Sequence, residues 1–107
     1  MNDQELLTYA AKAIDLKWLS YHHLKGLCCR DDKYGGLIEY YWNPLLNDAD
    51  AFQLMVKLRL EVYVHENESA VIDGNIIANT IQNHNGDPYA ATRRAIGMAA
   101  AEIGKGM

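Results

Sequence analysis

The side chains with the widest chemical reach come in vicinal pairs, His22-His23, Cys28-Cys29, Asp31-Asp32 and Arg93-Arg94, with Asp48 and Asp50 two apart. Histidine and cysteine are zinc ligands, and the first two pairs supply four of them. Neighbouring residues of a strand point to opposite faces, so such pairs converge poorly on one ion, and burial of one member of each is the simpler reading. A dithiol redox centre needs two residues between its cysteines, a spacer absent here. A nucleophilic serine needs a sharp, glycine-flanked turn, whereas Ser20 lies between Leu19 and Tyr21 and Ser69 between Glu68 and Ala70. Paired carboxylates can do acid-base or metal chemistry, but Asp31-Asp32 falls in a hairpin loop and Asp48 and Asp50 open a helix, where acidic side chains are favoured structurally. Gly35-Gly36 lacks the longer glycine pattern and the lysine of a phosphate loop. His65 and His84 fall in polar loops and are expected in solvent. No catalytic residue, metal or cofactor is assigned, and the expected class is non-enzymatic.

Two groups remain as candidate binding residues. Tyr40, Tyr41 and Trp42 form the main aromatic concentration, with Trp18 and Tyr21; strand alternation puts Tyr40 and Trp42 on one face and Tyr41 on the other, leaving at least one partly exposed. Exposed aromatics favour interfaces, although core packing is the commoner fate of any one of them. Arg93 and Arg94 are one step apart on a helix, so only one can lean towards a sheet-edge groove while the other faces solvent; a solvated arginine is the simpler reading, and contact with an anion or acidic partner the functional one.

The elements that must position these groups follow from periodicity and punctuation. Leu6, Leu7, Ala10, Ala11 and Ile14 recur at helical spacing behind Asn2 or Asp3 as cap, predicting a helix near 3–14. From Leu16 to Trp42 the strand-favouring types predict two or three strands, with a hairpin at Asp31-Asp32-Lys33-Tyr34-Gly35-Gly36 joining strands near 26–30 and 36–42. Pro44 ends the last of these, and Asn47 caps a helix near 47–59 whose apolar face is Ala51, Leu54, Met55 and Leu58, widened by Phe52 and Val56. Leu60, Val62 and Val64 alternate as a strand, a second follows at Ser69 to Ile72, and a third at Ile76 to Ile81 after the turn Asp73-Gly74-Asn75; Gln82-Asn83-His84-Asn85-Gly86 reads as a loop. Asp87 and Pro88 open a helix near 88–103 with Tyr89, Thr92, Ile96, Ala99 or Ala100, and Ile103 on its buried face and enough alanine to lie close to a sheet. The expected architecture is one α+β domain, residues 1–107, with three helices on an antiparallel sheet of about five strands.

Composition narrows function further. With 107 residues, half of them apolar and 22% charged, one ordered core is expected. No apolar run approaches the ~20 residues of a membrane span. The acidic start, Met1-Asn2-Asp3-Gln4-Glu5, is unlike a secretory signal, so a cytoplasmic protein with reduced thiols is expected. A net charge of −4, without a basic tail, argues against nucleic-acid binding. The order helix, three strands, helix matches double-stranded-RNA-binding domains, but the last helix opens Asp87-Pro88-Tyr89-Ala90-Ala91-Thr92 without their lysines, so an RNA-binding module is a weak alternative.

Trp42-Asn43-Pro44-Leu45-Leu46-Asn47-Asp48-Ala49-Asp50-Ala51, followed by Leu54 and Val56-Lys57-Leu58, resembles a family of small uncharacterised proteins of tailed bacteriophages and enterobacterial prophages. The segments Glu5-Leu6-Leu7 with Ala10-Ala11-Lys12-Ala13, and Asp87-Pro88-Tyr89-Ala90-Ala91-Thr92-Arg93-Arg94-Ala95-Ile96 with Ala99-Ala100-Ala101-Glu102-Ile103-Gly104, are similar to that family's ends. The resemblance implies an origin and carries no activity, ligand or catalytic residue. It points to an accessory protein in the host cytoplasm that binds a host or phage protein, leaving counter-defence, regulation and lysogeny as alternatives. The alternative is a nucleotide-sequestering protein, with Arg93 or Arg94 on phosphate and an aromatic on the base. An unpaired sheet edge invites a homodimer without naming the residues.

Overall fold

Each helix begins where a side chain captures a free main-chain amide. Asn2 accepts from the Glu5 N–H at 2.8 Å, Asn47 from the Asp50 N–H at 3.0 Å and Asp87 from the Ala90 N–H at 3.0 Å. In the computed structural model, which describes residues 1–31, 38–73 and 79–107, these caps open α1 (Asp3–Ala13), α2 (Asp48–Leu58) and α3 (Pro88–Lys105). Between α1 and α2 run β1 (Ser20–His22), β2 (Gly26–Asp31) and β3 (Ile38–Trp42); between α2 and α3 run β4 (Glu61–Val64), β5 (Glu68–Ile72) and β6 (Asn79–Asn83).

The α+β class holds, but the single sheet of about five strands does not. Among the described residues six strands form two antiparallel three-stranded sheets, ordered β1-β2-β3 and β4-β5-β6. Each is a meander whose strands pair with their sequence neighbours, Cys29 against Tyr40 in the first and Tyr63 against Ala70 in the second. The physical reason is the corner after Trp42: Pro44 cannot extend a ladder, and α2 carries the chain away before β4 begins. Most of the Asp31 to Gly36 hairpin, the turn residues Gly74 and Asn75, and the first part of the strand expected from Ile76 lie outside the described residues. Gln82 and Asn83, expected in a loop, belong to β6, paired with Ser69 and Glu68; a polar composition does not prevent pairing on an edge strand.

The helices join the two sheets. α1 packs along α3, α3 covers β5 and β6, and α1 touches β2. Leu6, Leu7, Ala10, Leu27, Cys29, Trp42, Leu54, Val71, Ala95 and Ala99 share one buried cluster. The alanine-rich face of α3 therefore serves close contact with a helix as well as with a sheet. Gly26 starts β2 at φ +103°, and a Cβ there would collide with the Trp42 carbonyl oxygen, so the turn into β2 needs glycine on both counts.

Three expected core positions are in the open. Tyr89 is 72% exposed, Phe52 60% and Val56 56%. Tyr89 sits in the first turn of α3, ahead of the buried run that begins at Ala91, and α2 buries only Ala51 and Leu54 fully, so its apolar stripe is wider than its cover. Two of the three, Phe52 and Tyr89, line a groove between the two helices.

Candidate functional site

The groove holds about 380 Å³. Phe52 and Met55 of α2 form one wall, Tyr89 and Ile96 of α3 the other, and Val64 of β4 closes one side. Two aromatic side chains and a valine that is 62% exposed give it an apolar lining of the kind that proteins bury on association. Arg93 and Asp48 bridge its rim: the Arg93 Nε donates to the Leu45 carbonyl at 3.0 Å and its Nη1 to Asp48 Oδ1 at 2.7 Å. Only 18% of the Arg93 side chain is exposed against 75% of Asp48, so the guanidinium is fixed and the carboxylate faces outwards.

Arg94 points elsewhere and reaches Asp3 Oδ1 with both terminal nitrogens at 3.3 Å. The two arginines thus diverge, as their spacing requires, but each already holds a carboxylate. A phosphate at either would have to displace one.

The aromatic strand divides by depth: Trp42 is covered, while Tyr40, on the same face by alternation, and Tyr41, on the other, are both exposed. Trp42 is 1% exposed and its indole Nε1 donates to Gln53 Oε1 at 2.9 Å, fastening β3 to α2. Tyr40 and Tyr41 are 39% and 45% exposed. Tyr41 shares its face with the His22 ring, at 6.1 Å edge-on, and Lys25, whose Nζ lies 5.1 Å over the phenol ring. These candidates are brought together with neither Arg93 nor Arg94.

The vicinal histidines stack on each other at 5.0 Å, and both cysteines are buried and free. Burial pushes both thiols up; the Glu39 carboxylate beside Cys28 adds to the effect. Among the described residues no three His, Cys, Asp or Glu side chains are grouped to hold a metal ion. Also among them, no helix is long and apolar enough to cross a membrane.

One polar constellation escapes sequence reasoning. His84, expected in solvent, is half-buried: its Nε2 meets Ser69 Oγ at 2.8 Å and its Nδ1 faces the Glu66 carbonyl at 3.2 Å. Ser69 Oγ also meets Thr92 Oγ1 at 2.7 Å, and that hydroxyl donates to the Pro88 carbonyl at 2.7 Å. Serine beside histidine has the atoms of a nucleophile and its base. Here Ser69 is fully buried, so no substrate carbonyl can approach its oxygen, and the chain of contacts instead ties β5, the loop after β6 and α3 together. No family model, curated protein or solved structure matches the chain.

Proposed function

We propose that this chain is a phage- or prophage-encoded accessory protein that acts in the host cytoplasm without catalysis, by binding a host or phage protein in the groove between α2 and α3. The observation that carries this reading is the exposure of Phe52 and Tyr89 on facing walls of one apolar groove. Uncovered aromatic surface of this kind costs solubility unless a partner uses it, and aromatic side chains dominate interface energetics. The occupant is a protein presenting an apolar anchor with basic groups around it. The net charge of −4 supports that choice. The origin rests on the resemblance of the Trp42 to Ala51 corner and of the two terminal helices to phage and prophage proteins.

The test is capture from infected or lysogenic cells by the purified chain at micromolar concentration, beside Phe52→Lys and Tyr89→Lys variants. Both positions are exposed, so the variants should fold as the parent does. A specific partner retained by the parent and lost by both variants supports the groove. No specific partner, or one that both variants retain equally, overturns it.

A further inference from the structure

Among the described residues β4 is an edge strand of its sheet, paired with β5 alone. The His65 N–H bonds to the Glu68 carbonyl at 2.8 Å, and Tyr63 and Glu61 oppose Ala70 and Ile72. Antiparallel ladders alternate, so the main-chain groups of Glu61, Tyr63 and His65 turn towards β5 and those of Val62 and Val64 turn away from it. Among the described residues nothing pairs with those outward amides and carbonyls. An edge of this kind is a template for another strand.

The segment Glu61-Val62-Tyr63-Val64-His65 is symmetric about Tyr63 except that an acid stands at one end and a histidine at the other. Run antiparallel to itself, it sets valine against valine, tyrosine against tyrosine, and carboxylate against imidazole at both ends. From this we infer that β4 pairs with β4 of a second copy of this chain across a two-fold axis at Tyr63, making one six-stranded sheet from two three-stranded ones.

The free hydrogen-bonding groups select that register. An axis at Val62 would recruit Leu60, whose N–H is already given to the Met55 carbonyl at 3.0 Å. An axis at Val64 would recruit Glu66, whose carbonyl faces His84 Nδ1 at 3.2 Å. An axis at Tyr63 uses only Val62 and Val64 from each copy, in two reciprocal pairs of main-chain hydrogen bonds. Val64, 62% exposed, then gains Val62 of the second copy beside it on the helix side. On the outer face Glu61, Tyr63 and His65 are all exposed and meet their counterparts without displacing a core residue.

The pairing borders the groove between α2 and α3 at Val64, but its register and hydrogen bonds come from the β4 main chain alone, so its test is read separately from that of the groove. Sedimentation equilibrium from about 1 to 500 μM should show a monomer–dimer equilibrium. Tyr63→Cys, with its Cα close to its own symmetry mate in a non-hydrogen-bonded pair, should form a covalent dimer under mild oxidation, with the bridge mapped to position 63 in both chains. Glu61→Lys and His65→Glu should each weaken the dimer tenfold or more, and the double variant should restore it to within about threefold. A monomer throughout the range overturns the proposal. So does a dimer that resists crosslinking at position 63 and ignores both charge changes, because its contact would then lie elsewhere.

Discussion

Gly104 of α3 lies so close to the Tyr9 carbonyl of α1 that a Cβ at position 104 would overlap it. The contact is backbone against backbone, and no side-chain rotation relieves it. Alanine favours a helix over glycine by about 1 kcal/mol, yet overpacking a tight contact costs roughly 1–3 kcal/mol or more. Gly104→Ala should therefore lower stability by about 2 kcal/mol in urea unfolding. Gly97 is the control on the same helix: a Cβ there meets only the ends of the Leu45 and Leu6 side chains, at 3.1 and 3.3 Å, which can shift. Gly97→Ala should be neutral to within about 1 kcal/mol.

The corner between β3 and α2 turns on Asp50. Its Oδ2 accepts the Asn43 N–H at 2.9 Å, while burial pushes its carboxyl above the usual range and outweighs that hydrogen bond. A raised folded pKa means stability that is fully present below the unfolded value and is lost as pH rises through the folded one. Asp50→Asn keeps an oxygen for the Asn43 amide and does not titrate. Its stability relative to the parent should rise as pH climbs from about 3 to 7, measured by denaturant midpoints across that range. Asp50→Ala should lose about 1–3 kcal/mol at both ends, because the amide is left unpaired.

The corner was legible because caps and prolines act through neighbours in sequence. Asn47, Asp87 and Pro88 stand where such local rules put them. The division into two sheets was not legible, since the same alternating strands suit one sheet or two, and only the path of α2 decides. Phe52 and Tyr89 carry helical spacing like their buried neighbours; periodicity finds an apolar stripe but not what covers it. Ser69 and Thr92 lie 23 positions apart, with His84 between them, and the three belong to no shared motif, so their meeting is a product of the fold.

The Ser69 network should behave as a structural tie. Ser69→Ala leaves His84 Nε2 and the Thr92 hydroxyl without their shared partner and should cost about 1–3 kcal/mol. In a double-mutant cycle with His84→Ala the two losses should fall short of additive by about 1 kcal/mol, since they report one interaction. A fluorophosphonate probe should leave Ser69 unmodified in the native protein, because its hydroxyl has no exposed surface. Labelling of Ser69 under native conditions would show that the network opens.

Thiol reactivity should separate the two cysteines by their surroundings. Cys29 is fully buried and Cys28 nearly so, and both thiols are pushed up by burial, so native alkylation at pH 8 should be much slower than for a free cysteine and should reach both residues only on unfolding in urea. Cys28 carries a second influence, the Glu39 Oε2 carboxylate oxygen at 3.6 Å, whose charge disfavours the thiolate. Replacing that charge by Glu39→Gln removes the repulsion and should lower the pKa of Cys28 alone. The pH profile of Cys28 alkylation, followed by mass spectrometry, should then move to lower pH while that of Cys29 stays in place. Equal movement of both profiles would mean that the substitution loosens β2 and β3 and does not act through the thiol.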